Sequence, residues 1–169
     1  PQATHLPLEF EEHASGFGVL RGHFARANPQ WQHIPEGSEV LCIFNGPHAY
    51  VSSSWYQEEE VPTWNYMAVH VRGNYRTQNE EELWESLHKL MDKYEKDSRT
   101  PVSLHDLSPA TLRQVRGIVG FEIAITRLEA AYKLSQGREQ DHPRIVEELH
   151  KRGCQSRAVA TAMKRNPPS

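Results

Sequence analysis

Polar and apolar positions alternate from the start of the chain. Over residues 4–10, Thr4, Leu6, Leu8 and Phe10 fall on one face while His5, Pro7 and Glu9 fall on the other, the period of a strand. Pro7 has no N–H to give to a ladder, so this strand is expected at a sheet edge or a bulge. A Ser15-Gly16 turn leads into an extended run over residues 17–24, and residues 25–31 read as a short helical turn stopped by Pro29. Residues 39–44 predict a buried strand, Asn45-Gly46 a tight turn, and residues 49–55 a further extended stretch. Beyond the acidic loop Glu58-Glu59-Glu60, residues 61–75 predict a long strand with apolar side chains on both faces.

The period then changes. Asn79 followed by Glu80, Glu81 and Glu82 is an N-cap with acids in the first turn, where the helix dipole favours them. Leu83, Trp84, Leu87, Leu90, Met91 and Tyr94 recur at helical spacing and predict a core-packing stripe. Ser108-Pro109 opens a helix running to about Arg116. Alternation returns over residues 120–128, with Phe121, Ile123 and Ile125 opposite Glu122, Ala124 and Thr126, and two short helices flank Gly153. Strands first, then helices, a strand and helices again do not make the regular alternation of a parallel sheet. They predict an α+β fold on an antiparallel sheet or small barrel.

The chain has 169 residues, about one domain's worth, and needs neither metal nor disulfide to build a core. Hydrophobic residues make up 37%, and the mean hydropathy is −0.71. The longest apolar run, residues 40–44, has strand length, and no basic-then-apolar leader opens the chain. A soluble, cytoplasmic protein is expected. The first residue is Pro1 rather than Met, so a native start upstream of it is also expected. Cys42, inside an apolar run, reads as a reduced buried thiol. The ten histidines show none of the close spacings of metal ligands. Residues 1–141 carry 13 basic against 20 acidic side chains, whereas residues 142–169 carry six against two. An acidic body with a basic tail is no general nucleic-acid binder, although the tail alone can meet an anionic partner.

Four segments concentrate polar-ligand chemistry. Residues 21–29 contain His23, Arg26 and Asn28 at a strand end, where backbone N–H groups and a cation suit a phosphate. Ser53, Trp55 and Tyr56 set a hydroxyl beside two aromatic rings, a pairing suited to a flat heterocycle. Thr63 and Asn65 share one strand face opposite Trp64 and Tyr66, and such polar side chains need partners if buried. Lys133, Ser135, Gln136 and Arg138 follow the last strand with two cations and two neutral hydrogen-bonding groups. Each segment also has a plain reading as a strand-end cap, a polar turn or a solvated basic loop. Neither the phosphate-loop nor the dinucleotide glycine spacing occurs, and no nucleophile motif is present.

In order along the chain, THLPL (4–8), GHFARANPQW (22–31), AYVSSSWY (49–56), VPTWNYMAVHVRG (61–73), GIVGFEI (117–123) and YKLSQGR (132–138) resemble the PaiB family of FMN-binding negative transcriptional regulators. The resemblance implies an FMN-binding split β-barrel over residues 1–140, related to pyridoxamine-phosphate oxidases and flavin reductases, with a helical appendage over 141–169. It implies a homodimer with flavin at the subunit interface. His23, Arg26 and Asn28 would meet the phosphate or ribityl chain, and Ser53, Trp55 and Tyr56 would lie on the next strand. Thr63 and Asn65 would approach the ring edge, while Lys133, Ser135, Gln136 and Arg138 would close the pocket. Family members carry a helix and strand ahead of the THLPL-like segment, and they have Trp and Asn where Tyr132 and Gly137 stand here. The function implied is regulatory, of the protease-production and sporulation class. The alternatives are an FMN-dependent oxidoreductase and a haem-binding split barrel. Whether the protein is an enzyme stays open, and so does DNA binding by the basic helical tail, for which packing on the barrel or on a partner subunit is the favoured reading.

Overall fold

The computed structural model describes residues 2–13 and 16–167. Among them are five strands, β1 (Glu9–Glu11), β2 (Val19–Ala25), β3 (Glu39–Val51), β4 (Thr63–Thr77) and β5 (Ile118–Lys133), and four α-helices, α1 (Glu80–Glu95), α2 (Pro109–Leu112), α3 (His142–His150) and α4 (Cys154–Arg165). The sheet order is β1-β2-β5-β4-β3, with β2 antiparallel to both β1 and β5. This is the α+β class with an antiparallel sheet that the hydrophobic pattern predicts. The chain divides into two compact units, Pro1–Leu41 with Val71–Arg127, and Cys42–His70 with Leu128–Ser169. Strands β3, β4 and β5 pass through both. The helical segment expected over 141–169 falls in the second unit, together with residues 42–70 and 128–140.

In the first unit the core lies along β2, β4 and β5. Phe121 stacks tilted against Phe24 and Tyr75, with ring centroids at 4.7 and 5.7 Å. The strand expected over residues 4–10 shortens to β1, at the edge of the sheet. Pro7 cannot donate to a ladder, and the Thr4 hydroxyl is engaged by Gln30 and Asn28, so residues 4–8 run beside β2 without pairing. Gly22 permits this approach, since a Cβ there would meet Leu8 Cδ2 at 2.7 Å. The expected Ser15-Gly16 turn lies partly outside the described residues. Pro29 opens a 3-10 turn over Pro29–His33 rather than stopping one, because its missing N–H costs nothing at a helical first position.

Helix α1 starts as the sequence predicts. Asn79 Oδ1 accepts from Glu82 N–H, and the Glu82 carboxylate accepts from Asn79 N–H, both at 2.9 Å, a reciprocal cap. Its apolar stripe is less covered than expected. Leu83 is buried, but Leu90 borders an open cavity and Tyr94 is 59% exposed. Glu122 belongs to the strand face predicted to be polar, yet it is buried. It accepts from Arg21 Nε at 2.9 Å and Arg76 Nε at 3.2 Å, while Arg76 also forks onto Glu82 at 2.8 and 2.9 Å. This chain of alternating charges ties the start of α1 to β2, β4 and β5.

In the second unit β3 runs unbroken through Asn45-Gly46, where a turn is expected. The residue pair lacks the positive φ that a tight hairpin needs. Gly46 serves a close approach instead, since a Cβ there would lie 3.1 Å from the Met67 carbonyl oxygen. The stretch expected to be buried is largely open, with Ile43 55% exposed. Cys42 is a free, half-buried thiol, and burial pushes its pKa up. Val51, Leu134, Ile145, Leu149, Val159 and Met163 have no exposed surface and form the centre of this unit. Both C-terminal helices therefore contribute to the core rather than decorate it. Asp141 precedes α3 without capping it, because its carboxylate accepts from Gln57 N–H at 2.9 Å.

Two consequences are measurable. The hydrogen bond from Arg76, with help from Asn79 N–H, holds the Glu82 carboxyl at about 2. A depressed carboxylate stabilises the fold above its unfolded pKa and loses that contribution as pH falls toward its folded value. The unfolding stability of the native chain relative to Glu82→Gln is expected to shrink between about pH 4.5 and pH 2. Solvent screening keeps the difference at about 1 kcal/mol or less. Separately, a Cβ on Gly73 would lie 2.5 Å from both Ala124 O and Ile123 Cγ2. Gly73→Ala is expected to cost about 1–3 kcal/mol, read as a lower urea midpoint with an unchanged slope.

Candidate functional site

In the second unit, β4 and the end of β5 bring four of the expected residues together. Alternation along β4 turns Trp64 and Tyr66 outward and Asn65 inward, where it has no exposed surface. The carboxamide finds its partners across 70 residues of sequence. Its Nδ2 donates to Ser135 Oγ at 3.0 Å, and Ser135 Oγ donates to its Oδ1 at 3.1 Å. Two residues away on both strands, Lys133 Nζ donates to Thr63 Oγ1 at 2.6 Å. The Lys133 cation is thus held by a hydroxyl and not by a carboxylate.

The turn that presents Ser135 is stitched by its neighbour. Gln136 Oε1 accepts from Leu134 N–H at 2.9 Å, and Gln136 Nε2 donates to Tyr132 O at 2.6 Å. Gln136 therefore spends its amide on the turn. Ser135 sits at φ 59°, the left-handed region, alone in this among the described non-glycine residues. Arg138 lies 5.3 Å over the Tyr56 ring and pairs with Glu60. Hydrogen bonds from Val61 N–H and Arg138 hold the Glu60 carboxyl below its ordinary range, whereas burial pushes the Tyr56 hydroxyl up. Ser53 opens the 3-10 turn Ser53–Trp55 and is exposed. Trp55 is buried in the core with the Arg152 guanidinium 4.5 Å above its ring.

The first unit holds the other three expected residues, each in a different setting. His23 is half-buried on β2 with its pKa lowered by burial, so its imidazole is neutral at pH 7. It lines a cavity of about 390 Å³ with Pro7, Phe10, Leu83 and Leu90, where Lys89 and Lys93 pair with Glu11 and Glu9. Arg26 donates to the carbonyls of Arg116 and Ile118 at 2.8 and 3.0 Å and lies 5.9 Å over Trp31. Asn28 accepts from Gln30 N–H at 2.9 Å and donates to Thr4 at 3.0 Å, so it caps the turn that follows. Backbone carbonyls and a cap absorb the donors that the sequence offers to a phosphate. Among the described residues no His, Cys, Asp and Glu cluster is arranged for a metal, and no helix is long and apolar enough to cross a membrane.

One contributor escaped the sequence reading. Met163 of α4 accepts from Asn65 Nδ2 at 3.5 Å inside the core. Its place in a helical apolar stripe marks it as core and gives no signal of a polar contact. The donor set on this strip fits FMN in kind, with two hydroxyls and one cation that pairs with no acid among the described residues.

Comparison with known proteins identifies the family of the chain. Residues 1–127 match the family described as "Putative FMN-binding domain". The chain is 48% identical over 151 residues to the "Protease synthase and sporulation protein PAI 2" of Bacillus subtilis (strain 168), covering 88% of this chain and 72% of that protein. The solved structure of an FAD and haem binding protein from Mycobacterium smegmatis superposes with a TM-score of 0.52 at 14% identity, over 75% of this chain and 58% of that one. A crystal structure described as "a putative 5-nitroimidazole antibiotic resistance protein" from Bacteroides thetaiotaomicron gives a TM-score of 0.50 at 14% identity, over 74% and 64%. The chain thus spans less than two thirds of either solved chain, and at this identity both likenesses speak for the fold alone. With a family match over three quarters of its length and a relative of nearly half-identical sequence, the chain belongs to the PaiB family of FMN-binding-domain proteins.

Proposed function

We propose that the protein is an FMN-binding split barrel that works as a homodimer and serves as a negative transcriptional regulator of the type named for its Bacillus subtilis relative. The observation that carries the flavin part is the convergence of Lys133 with Thr63 and of Ser135 with Asn65 on one strip. Lys133 would take the phosphate, since among the described residues no acid in contact competes for its charge. Thr63 and Ser135 would orient the polar edge of the ring. FMN when bound supplies one- and two-electron redox chemistry. The chain itself contributes binding and orientation on this strip.

The dimer is supported by the outer face of β3 and β4 in the second unit. Tyr50, Trp64 and Tyr66 are each at least 40% exposed there, with His48 accepting from Trp64 Nε1 at 3.2 Å. A second copy covering these rings accounts for so much aromatic surface in water. Regulation by contact with DNA would fall to the exposed basic side chains Arg157, Lys164 and Arg165 of α4. The cytoplasmic location expected from the sequence accompanies this reading.

Titration of the purified chain with FMN is expected to quench flavin fluorescence at saturation, on a species of twice the 19.4 kDa chain mass. Lys133→Gln is expected to weaken binding about tenfold, or about 1.4 kcal/mol, with the fold intact. An unchanged flavin signal with the native chain defeats the FMN reading. For DNA, deleting the tail is a poor test because Val159, Ala160 and Met163 are core. The double variant Arg157→Glu, Lys164→Glu leaves that core alone. Its gel-shift affinity for the promoter DNA that the native chain retards is expected to fall at least tenfold, and equal affinity would remove this helix from the regulatory account.

A further inference from the structure

In the first unit, residues of β1, β2 and α1 line a cavity of about 390 Å³, a size within the range of small-molecule pockets. Its wall is apolar at Pro7, Phe10, Leu83 and Leu90, and its charged side chains are already matched. Lys93 pairs with Glu9, Lys89 with Glu11 and Glu85, and Arg21 with Glu11 and Glu122. On this wall an entering anion finds no cation free of an acid, and an entering cation finds no acid free of a base. Three polar groups there are uncommitted. The His23 ring makes no hydrogen bond to any described residue, and burial alone acts on its pKa, lowering it. The neutral ring offers one N–H and one bare nitrogen. Ser86 Oγ accepts from Gln78 Nε2 at 2.8 Å and gives its own proton to no described residue. Glu9 Oε1 is buried without a hydrogen-bond partner, a state that costs a folded chain free energy.

We propose that this cavity is a second ligand site, for a neutral and mainly apolar molecule carrying one hydroxyl, of which a phenol is the simplest kind. A hydroxyl donates and accepts through a single oxygen. Its proton goes to Glu9 Oε1 or to the bare nitrogen of His23, and its lone pairs take the His23 N–H or the Ser86 proton. An ether or a carbonyl only accepts, and leaves the Glu9 oxygen without a donor. A carboxylate or an ammonium has to compete with an ion pair already formed. The ring of a phenol, uncharged at pH 7, packs against Phe10, Leu83 and Leu90. None of Thr63, Asn65, Lys133 and Ser135 lines the cavity, so the site stands apart from the flavin reading. His23, which the family resemblance assigns to the flavin, serves this ligand instead.

The experiment titrates the flavin-free chain with p-cresol, followed by NMR. The controls are 4-methylanisole, in which a methyl group replaces the hydroxyl proton, and p-toluate, in which a carboxylate replaces the hydroxyl. p-Cresol is expected to saturate one site per chain with a Kd of about 1 mM or tighter. It is expected to bind about tenfold more tightly than either control. His23→Phe removes a polar partner and should shrink the preference for p-cresol over 4-methylanisole several-fold. Leu90→Trp fills the cavity and should abolish binding; if it also lowers the unfolding midpoint, His23→Phe carries the test. Failure to saturate, or native affinity in both variants, overturns the site. Equal affinity for p-cresol and 4-methylanisole, or tighter binding of p-toluate, overturns the hydroxyl assignment. Competitive displacement of p-cresol by FMN makes the cavity part of the flavin site, which overturns this inference and leaves the flavin reading standing. Binding of p-cresol by a chain that takes no FMN upholds this inference and defeats only the flavin reading.

Discussion

A carboxamide without access to water must be satisfied by protein alone, and Asn65 is in that position at the centre of the second unit. Its partners come from three places in the sequence: β4 carries it, the turn after β5 supplies Ser135, and α4 supplies Met163. Meeting that one requirement draws the end of β5 against β4 and seats α4 behind the strip. It also carries Lys133 to Thr63, because side chains two residues apart on neighbouring strands share a face. The meeting of Lys133 with Thr63 is in this sense a by-product of satisfying a buried polar group.

In the first unit a comparable role falls to charge. Glu122 is buried between Arg21 and Arg76, and its partners extend the chain of pairs to Glu11 and Glu82. Removing one member would strand a charge, so the set acts as a unit that fixes α1 on the sheet. Two cations, one in each unit, show different partners. Arg26 of the first unit donates to the carbonyls of Arg116 and Ile118. In the second unit Lys133 pairs with no acid among the described residues and donates to the Thr63 hydroxyl instead.

The C-terminal helices combine structure and surface. Their apolar sides complete the core around Ile145, Leu149 and Val159, while Arg157, Lys164 and Arg165 face solvent. Lys151 pairs with Glu147 and Glu148, and Arg152 covers Trp55. The basic character counted along the tail is therefore partly neutralised in place. What remains exposed is concentrated on α4, the same helix that carries Met163 into the candidate site.

Local pattern alone determined the helix starts, the α+β class, and the face that Thr63 and Asn65 share. Capping at Asn79 and alternation along β4 and β5 act between residues a few positions apart, so a single sequence shows them. Three local readings failed where a distant partner outweighed local preference: Asn45-Gly46 lies opposite Met67, residues 4–8 are held by Gln30 and Asn28, and Glu122 is buried between two arginines. The hydrogen bonds joining Asn65, Ser135 and Met163 span 70 to 98 residues. No periodicity encodes a contact of that separation, and only the packing of the folded chain decides which hydroxyl proton a buried amide receives.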